Sequence, residues 1–310
     1  MNEEILSEYN SIRINGGSGF YEQKRGLIAV WGKEAVQFLN GLITNDVAKL
    51  EENAQMSAAF PNAQGRLLAV VRVLKKDDKF LFETEATTRE KVYKNLFRFT
   101  FAGDFFVEDL SENYRYFSTE NFLTANGKWK MENAGAIEFQ RVSGADYFVP
   151  NDAAEGFTNE LKNQSAVEIS NELHEILRIE NGIPKYGVDM DEMTIVPEIG
   201  IENVISYQKG CYIGQEIIAR IHFRGHVAKQ LTGLILSEPE AVATCLTGQE
   251  LKSLDGKNVG KVTSVTFSPQ IGKTIALAYV RYDYLADGTE LKINGTSATV
   301  KQLPFISKLS

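Results

Sequence analysis

An unbroken apolar run gives way to a helical repeat near the start of the chain. Residues 26–32 read GLIAVWG, which predicts a short buried strand. From Lys33 to Leu42 the apolar positions are Ala35, Phe38, Leu39 and Leu42. That i, i+3, i+4, i+7 spacing predicts an amphipathic helix. Gly41 and the polar Thr44-Asn45-Asp46 mark its end and a turn. Arg66 to Val73 and Lys79 to Glu85 are β-rich runs around the charged Asp77-Asp78, which predicts a hairpin.

Thr87 or Thr88 is positioned to cap a helix carrying Val92, Leu96 and Phe99. Strand-like segments follow near 104–109, 114–118, 136–141 and 146–149, with a turn at Pro150-Asn151-Asp152. A second marked helix is predicted from Ser170 to Asn181, with Ser170 as N-cap, Gly182 as the stop and Pro184 preventing continuation. Another begins near Gly214 and runs to about Ile221. From Gln230 onward short β-runs alternate with glycine turns: LTGLIL, GQELKS, GKNVGKVTSVTF, KTIALAYV and GTELKING. A separate small β-barrel or sandwich is predicted there, from about 229 to 310. Gly16-Gly17-Ser18-Gly19 matches no phosphate-binding loop and is read as a flexible turn.

Composition narrows the class. Hydrophobic residues at 43% and charged residues at 24% supply enough apolar material for a folded soluble chain. A net charge of −8 argues against a dedicated nucleic-acid binder. The basic stretch Arg220, Arg224 and Lys229 is read as a solvated face. Two cysteines, Cys211 and Cys245, make no disulfide framework and fit a reducing compartment. Met1 to Asn10 has no apolar run of the secretory kind, and no stretch approaches a membrane span. A cytoplasmic protein with no membrane partner is expected.

Two constellations carry candidate chemistry. Leu173, Ile176 and Leu177 define the apolar face of the 170–181 helix, and Glu180 returns to nearly the same angle seven residues after Leu173. A carboxylate on that side must be paired or hydrogen-bonded, because burying a bare charge is costly. It either accepts hydrogen bonds from a ring with adjacent N–H donors, such as a pterin, or forms an ion pair with Arg178 or another basic residue. The second constellation is Lys209-Gly210-Cys211-Tyr212-Ile213-Gly214-Gln215-Glu216. Cys211 precedes a predicted helix N-terminus and lies two residues from Lys209; both favour the thiolate. A reactive or ligand-donating thiol competes with a small buried hydrophobe. Two cysteines are too few for an iron-sulfur cluster. His222 and His226 are broken by Gly225 and lack further ligands, so no metal is expected.

These residues also resemble a known family. RIENGIPKYGVDMDEMTIVPE (178–198), FLNGLITNDV (38–47) and GKVTSVTFSPQIGKTIALAYV (260–280) resemble the glycine-cleavage T-protein (aminomethyltransferase) superfamily. KGCYIGQEIIAR (209–220) is similar to the cysteine motif of its YgfZ-type branch, which supports iron-sulfur enzymes. The resemblance implies an α+β fold of three lobes. Two interleaved α+β lobes (1–228) make a channel for tetrahydrofolate or a one-carbon derivative, and a C-terminal β-barrel (229–310) closes one side.

It further implies that Glu180 faces the pterin, with Tyr186, Gln215, Glu216 and Arg220 also at the cofactor. Cys211, supported by Lys209, would be the functional thiol, and Asp189 to Glu192 would shape the channel wall. True T-proteins carry a G-G-[IL]-x-D-D pattern whose carboxylate serves proton and methylene transfer. Here the stretch is Gly65-Arg66-Leu67-Leu68-Ala69-Val70, apolar at both acid positions. Asp46 remains as a nearby acid whose simpler role is capping. General acid–base chemistry needs a titratable group within reach. The resemblance therefore implies a folate-binding accessory protein for iron-sulfur assembly or repair, and through it for tRNA-modification enzymes, with iron-sulfur enzymes or assembly proteins as partners. The alternative is a folate-dependent one-carbon transferase or demethylase.

Overall fold

The structure is a computed structural model and describes residues 3–101, 103–121, 135–141, 144–237 and 247–306. Cys245 lies outside the described residues. The chain opens with α1 (Glu3–Tyr9), a π-helical turn (Asn10–Ile14) and β1 (Gly19–Gln23). A first lobe follows: β2 (Arg25–Trp31), α2 (Ala35–Leu42), β3 (Gln55–Pro61), β4 (Leu67–Lys76), β5 (Lys79–Glu85), α3 (Arg89–Phe97) and β6 (Phe106–Asp109). The second lobe holds β7 (Tyr114–Glu120), β8 (Ile137–Arg141), β9 (Gly144–Pro150), α4 (Ala154–Asn163), β10 (Val167–Glu168) and α5 (Asn171–Glu180). After a loop-rich stretch come α6 (Gln215–Arg224) and the strands β11 (Lys229–Leu236), β12 (Glu250–Lys252), β13 (Asn258–Ser268), β14 (Lys273–Arg281), β15 (Glu290–Ile293) and β16 (Thr296–Lys301).

The first sheet has the order β3-β4-β5-β2-β6 and the second β10-β1-β7-β9-β8. The two lobes are interleaved, because β1 precedes the first lobe in sequence yet pairs with β7 of the second. The last six strands close a barrel in the order β11-β14-β13-β12-β15-β16. The protein is thus α+β with a C-terminal barrel, and the sandwich alternative is excluded by closure. No described helix is long and apolar enough to cross a membrane.

The alternation of β2 explains why two lobes adhere. Ile28 and Val30 point into a core with Leu39 and Leu42 of α2 and Phe82 of β5. Leu27 and Ala29 point the other way, onto Leu74, Leu81, Tyr116, Phe139 and Phe148. Each side chain of the size of Leu or Phe buried in this way stabilises by about 1.5–3 kcal/mol. The hairpin turn is made by Asp77 and Asp78 at φ +50° and +58°, the paired left-handed conformation that suits the strand twist. Ser170 caps α5, its hydroxyl accepting the Leu173 N–H at 3.2 Å.

The sequence-based expectations miss in several places. Thr88 stands at the N-cap of α3, but its side chain makes no cap; its hydroxyl is spent on Thr84 at 2.7 Å and on the Glu85 carbonyl at 3.1 Å. The glycine segment taken as a flexible turn ends at Gly19, the first residue of β1. A side chain there would collide with Ile12 and Ile169 at 2.8 and 2.9 Å, so the glycine serves close packing. α4 buries Ala154, Phe157 and Leu161 at helical spacing and was not foreseen. α6 runs on to Arg224, past the expected end near Ile221.

Candidate functional site

The two α+β lobes and the barrel surround a cavity of about 1770 Å³. That exceeds the roughly 300–1000 Å³ common for small-molecule pockets. One wall is a face of the first sheet. Register places Arg72 opposite Glu83, and Glu83 opposite Leu27. One row further along, Glu85 stands opposite Arg25 on one side, and on the other the β4–β5 register, which ends at the Val71–Thr84 pair, extends towards Val70. Residues opposite one another on antiparallel strands share a face, so Val70, Glu85 and Arg25 form a row, and all three line the cavity. Ala69 points into the opposite core.

The wall continues through a chain of alternating charges. Arg25 and Arg72 both bind Glu83, Arg72 at 2.8 Å. Arg72 also reaches Asp146 at 2.7 Å and donates to the Tyr116 hydroxyl at 3.2 Å. Arg141 completes the chain, 2.9 Å from Asp146 and 2.9 Å from Glu120. Burial alone would raise the pKa of Glu83, but Arg25 and Arg72 outweigh it and hold the carboxyl below its usual value. Asp146 follows the same logic, burial being outweighed by Arg72 and Arg141. Tyr116 is pushed up, first by burial and then by Asp146, and stays a phenol. His174 of α5 stacks on Tyr21 with ring centroids 4.2 Å apart, and burial pushes it down to about 4, so it is neutral at pH 7.

Glu180 sits elsewhere. It is fully buried and does not line the cavity, although its helix neighbours His174, Glu175, Leu177 and Arg178 do. Its Oε1 accepts from the Tyr9 hydroxyl at 2.7 Å and from Ser268 at 2.5 Å. Arg13 Nε lies 3.4 Å from Oε2 without a hydrogen bond between them. Of the two readings left open, the geometry shows the ion pair, with Arg13 rather than Arg178. Arg178 is committed to Asp189 at 2.8 Å and Glu175 at 3.0 Å. Burial raises the Glu180 pKa against these partners. Asp189 ties this region to the barrel, accepting from Thr263 and Ser264.

The cysteine motif lies on another part of the surface. Lys209 is buried and donates to the carbonyls of Ile43 and Asn45 at 2.8 and 2.7 Å, holding the turn after α2. Burial lowers its pKa to about 8, against the pull of Asp46. Cys211 is exposed, which removes the buried-hydrophobe reading. Gln215, Glu216 and Arg220 do not line the cavity; on α6 Glu216 and Arg220 pair with each other at 2.7 Å, both exposed. Tyr186 contributes its backbone N–H to Glu85 at 2.9 Å, while its ring stands off the cavity wall and its hydroxyl meets Lys91 at 3.4 Å. Asp46 caps the turn that follows it, accepting the Ala48 N–H at 3.2 Å. Among the described residues no group of His, Cys, Asp and Glu could hold a metal.

Sequence reasoning missed the cavity wall itself. Its signal was present as charges inside otherwise apolar strands: Arg72 in VVRVL, Glu83 and Glu85 in FLFETE. A charge on the inner face of a strand needs a partner or a ligand.

Comparison with known proteins places this architecture. Residues 229–306 match the glycine cleavage T-protein C-terminal barrel domain. The chain is 25% identical to an aminomethyltransferase of Thermoanaerobacter pseudethanolicus, over 99% of this chain and 89% of the relative. It is 26% identical to an aminomethyltransferase of Bdellovibrio bacteriovorus, over 98% and 91%. The crystal structure of the glycine cleavage system aminomethyltransferase T from Bartonella henselae superposes with a TM-score of 0.84 at 20% identity, covering 97% of this chain and 89% of that one. The chain thus shares the overall fold of the glycine cleavage system aminomethyltransferase T and, over residues 229–306, matches the T-protein C-terminal barrel domain.

Proposed function

We propose that this chain binds tetrahydrofolate, or a one-carbon derivative of it, in the central cavity and supports iron-sulfur cluster assembly or repair, and through it tRNA-modification enzymes, in place of aminomethyl transfer. The observation that carries the reading is Val70. It occupies the cavity-facing position of the stretch where the T-protein pattern has carboxylates, while Ala69, at the other acid position, is turned into the core. Neither supplies the proton-handling group that transfer chemistry needs.

A reduced folate fits the cavity on the character of its walls. Val70, Leu177, Met190, Ile199 and Leu231 offer apolar surface, and the charged row beside Val70 offers donors and acceptors. Arg25 and Arg72 are held by Glu83, and Glu85 keeps acceptor capacity for ring N–H groups. Bound folate would carry the one-carbon unit or the reducing power of its pteridine. The exposed thiol of Cys211 is free to meet a partner protein from solvent. One thiol cannot hold a cluster alone, so the iron would come with the client.

Anaerobic calorimetric titration with tetrahydrofolate tests the first half, and saturable binding is the expected result. The second half is tested in cells by Cys211→Ala, which should lower iron-sulfur enzyme activity while folate binding by the purified protein is unchanged. Normal enzyme activity with this variant would refute the accessory role.

The transferase reading rests on relatives named aminomethyltransferases that align with nearly the whole chain. Formation of 5,10-methylenetetrahydrofolate from an amine donor by the purified protein would favour it over the accessory role.

A further inference from the structure

The corner where α6 runs into β11 leaves an unusual amount of its chemistry uncovered. α5 buries six of its residues, whereas α6 buries Ile218 alone and exposes Arg220, His222, Phe223 and Arg224. Phe223 is 67% exposed yet held by its neighbours: its ring centroid lies 4.7 Å from that of His222, which stacks on Tyr207 at 3.6 Å. Past the helix, His226 stacks in the same way on Tyr282 at 3.7 Å. Lys229, the first residue of β11, then stands directly opposite Arg281, the last of β14. Like charges in that position repel each other. Neither of them, nor Arg224, has an ion pair among the described residues. Residues 217–236 contain no Asp or Glu, on a chain of net charge −8. Of the acids alongside, Glu216 pairs with Arg220 at 2.7 Å, Glu198 is buried, and Asp283 lines the cavity.

From this arrangement we infer that the α6–β11 corner is a docking surface for an acidic partner protein, with Phe223 as its apolar anchor and Arg224, Lys229 and Arg281 meeting carboxylates around it. An exposed aromatic ring among arginines and tyrosines has the composition of an interface centre. Its stacked neighbours already fix its position, so little side-chain freedom remains to be lost on binding. A carboxylate set between Lys229 and Arg281 turns their mutual repulsion into two charge-assisted contacts. Three uncommitted cations match a compact acidic face. A nucleic acid would extend beyond them over a chain whose net charge repels it. The surface also reaches the functional thiol. The ten residues of α6 span about 15 Å. An interface of about 800 Å² on each partner, centred on Phe223, extends to the start of the helix and the exposed Cys211 before it. The inference deepens the accessory reading, on which it rests, by giving the client an acidic face.

Fluorescence anisotropy tests the surface, with the full chain and a labelled glutamate-rich peptide of about twelve residues, leucine at every third position, at about 50 and 300 mM salt. Wild type should bind the peptide saturably at the lower salt and more weakly at the higher. Arg224→Glu combined with Arg281→Glu should weaken binding about tenfold and flatten its salt dependence. Phe223→Ala should weaken binding and leave the salt dependence as it is. Lys94→Glu, on the exposed side of α3, should behave as wild type. All of these proteins should bind tetrahydrofolate alike, because none of the changed residues lines the cavity. A failure of folate binding would therefore count against the folate reading and leave this surface standing. In cells the charge-reversed variant should lower iron-sulfur enzyme activity as Cys211→Ala does. No peptide binding by wild type, equal binding by the charge-reversed variant, or tighter binding of a uridine oligonucleotide of the same length overturns the acidic partner. Loss of peptide binding with normal iron-sulfur enzyme activity, where Cys211→Ala lowers it, overturns the client as that partner and leaves the accessory reading intact.

Discussion

Arg72 and Asp146 lie 2.7 Å apart across the boundary between the two α+β lobes. Arg72 belongs to β4 and Asp146 to β9, strands of different sheets. Their pair closes over the apolar seam of Leu27, Leu74, Tyr116 and Phe148 and forms part of the cavity wall. The same interaction that fastens the lobes thus sets the electrostatics of the site.

Asp146→Ala removes a buried carboxylate from two half-buried guanidinium groups, leaving Arg72 with Glu83 and Arg141 with Glu120. Breaking one side of such a buried pair costs about 3–5 kcal/mol. Urea denaturation at pH 7 should show a loss of that order.

The pH dependence of stability follows from the same groups. Glu83 and Asp146 have pKa values below the ordinary 4.5 and 3.8, so the folded state favours their ionised forms. Their contribution is present above those ordinary values and is lost as the pH falls through the lowered ones. The urea midpoint should therefore drop steeply below about pH 4. The drop should be shallower in Asp146→Asn, which has no proton to take up.

Lys209 is expected to act as a staple rather than as an activator of Cys211. Lys209→Met leaves the Ile43 and Asn45 carbonyls without their donor, a cost of about 1–3 kcal/mol. The rate of Cys211 alkylation at pH 7 should change little, because the ammonium is spent on those carbonyls. Its pKa of about 8 is depressed from 10.5, so the unfolded chain holds that proton more tightly. The contribution of Lys209 to stability therefore rises between pH 8 and 10.5, and this rise should be missing in the variant.

Glu180→Ala should destabilise by about 3 kcal/mol, since the Tyr9 and Ser268 hydroxyls lose their buried acceptor and Arg13 loses its ion-pair partner. Hydrogen exchange of residues 3–14 should accelerate in this variant. An unchanged urea midpoint would contradict the buried clamp.

Gly214→Ala tests the anchoring of the cysteine motif. Gly214 has φ +79°, and a Cβ there would stand 2.4 Å from the Asn62 carbonyl oxygen. Such strain is worth about 1–3 kcal/mol, so backbone exchange over 209–216 should rise. Folate binding should persist, because neither Gly214 nor its helix lines the cavity.

Elements whose pattern is local can be read directly from the amino-acid order. α2 and α5 were legible because Leu39, Leu42, Leu173 and Leu177 recur at helical spacing, and the β4–β5 hairpin because two β-runs flank Asp77-Asp78. The barrel was legible from its short strands and glycine turns. Periodicity also placed Glu180 on a buried face, but it could not say what covers that face. Only the tertiary structure brought Tyr9, 171 residues away in the chain, onto its carboxylate. The cavity wall was hidden for the same reason. Glu83, Asp146 and Glu85 differ in which arginine reaches them, and that depends on the pairing of β4 and β5, the approach of β9, and the rotamer of Arg25. Local spacing fixes which way a side chain points; the partner it meets is set by contacts between distant segments, where a buried charge finds its counter-charge or remains open for a ligand.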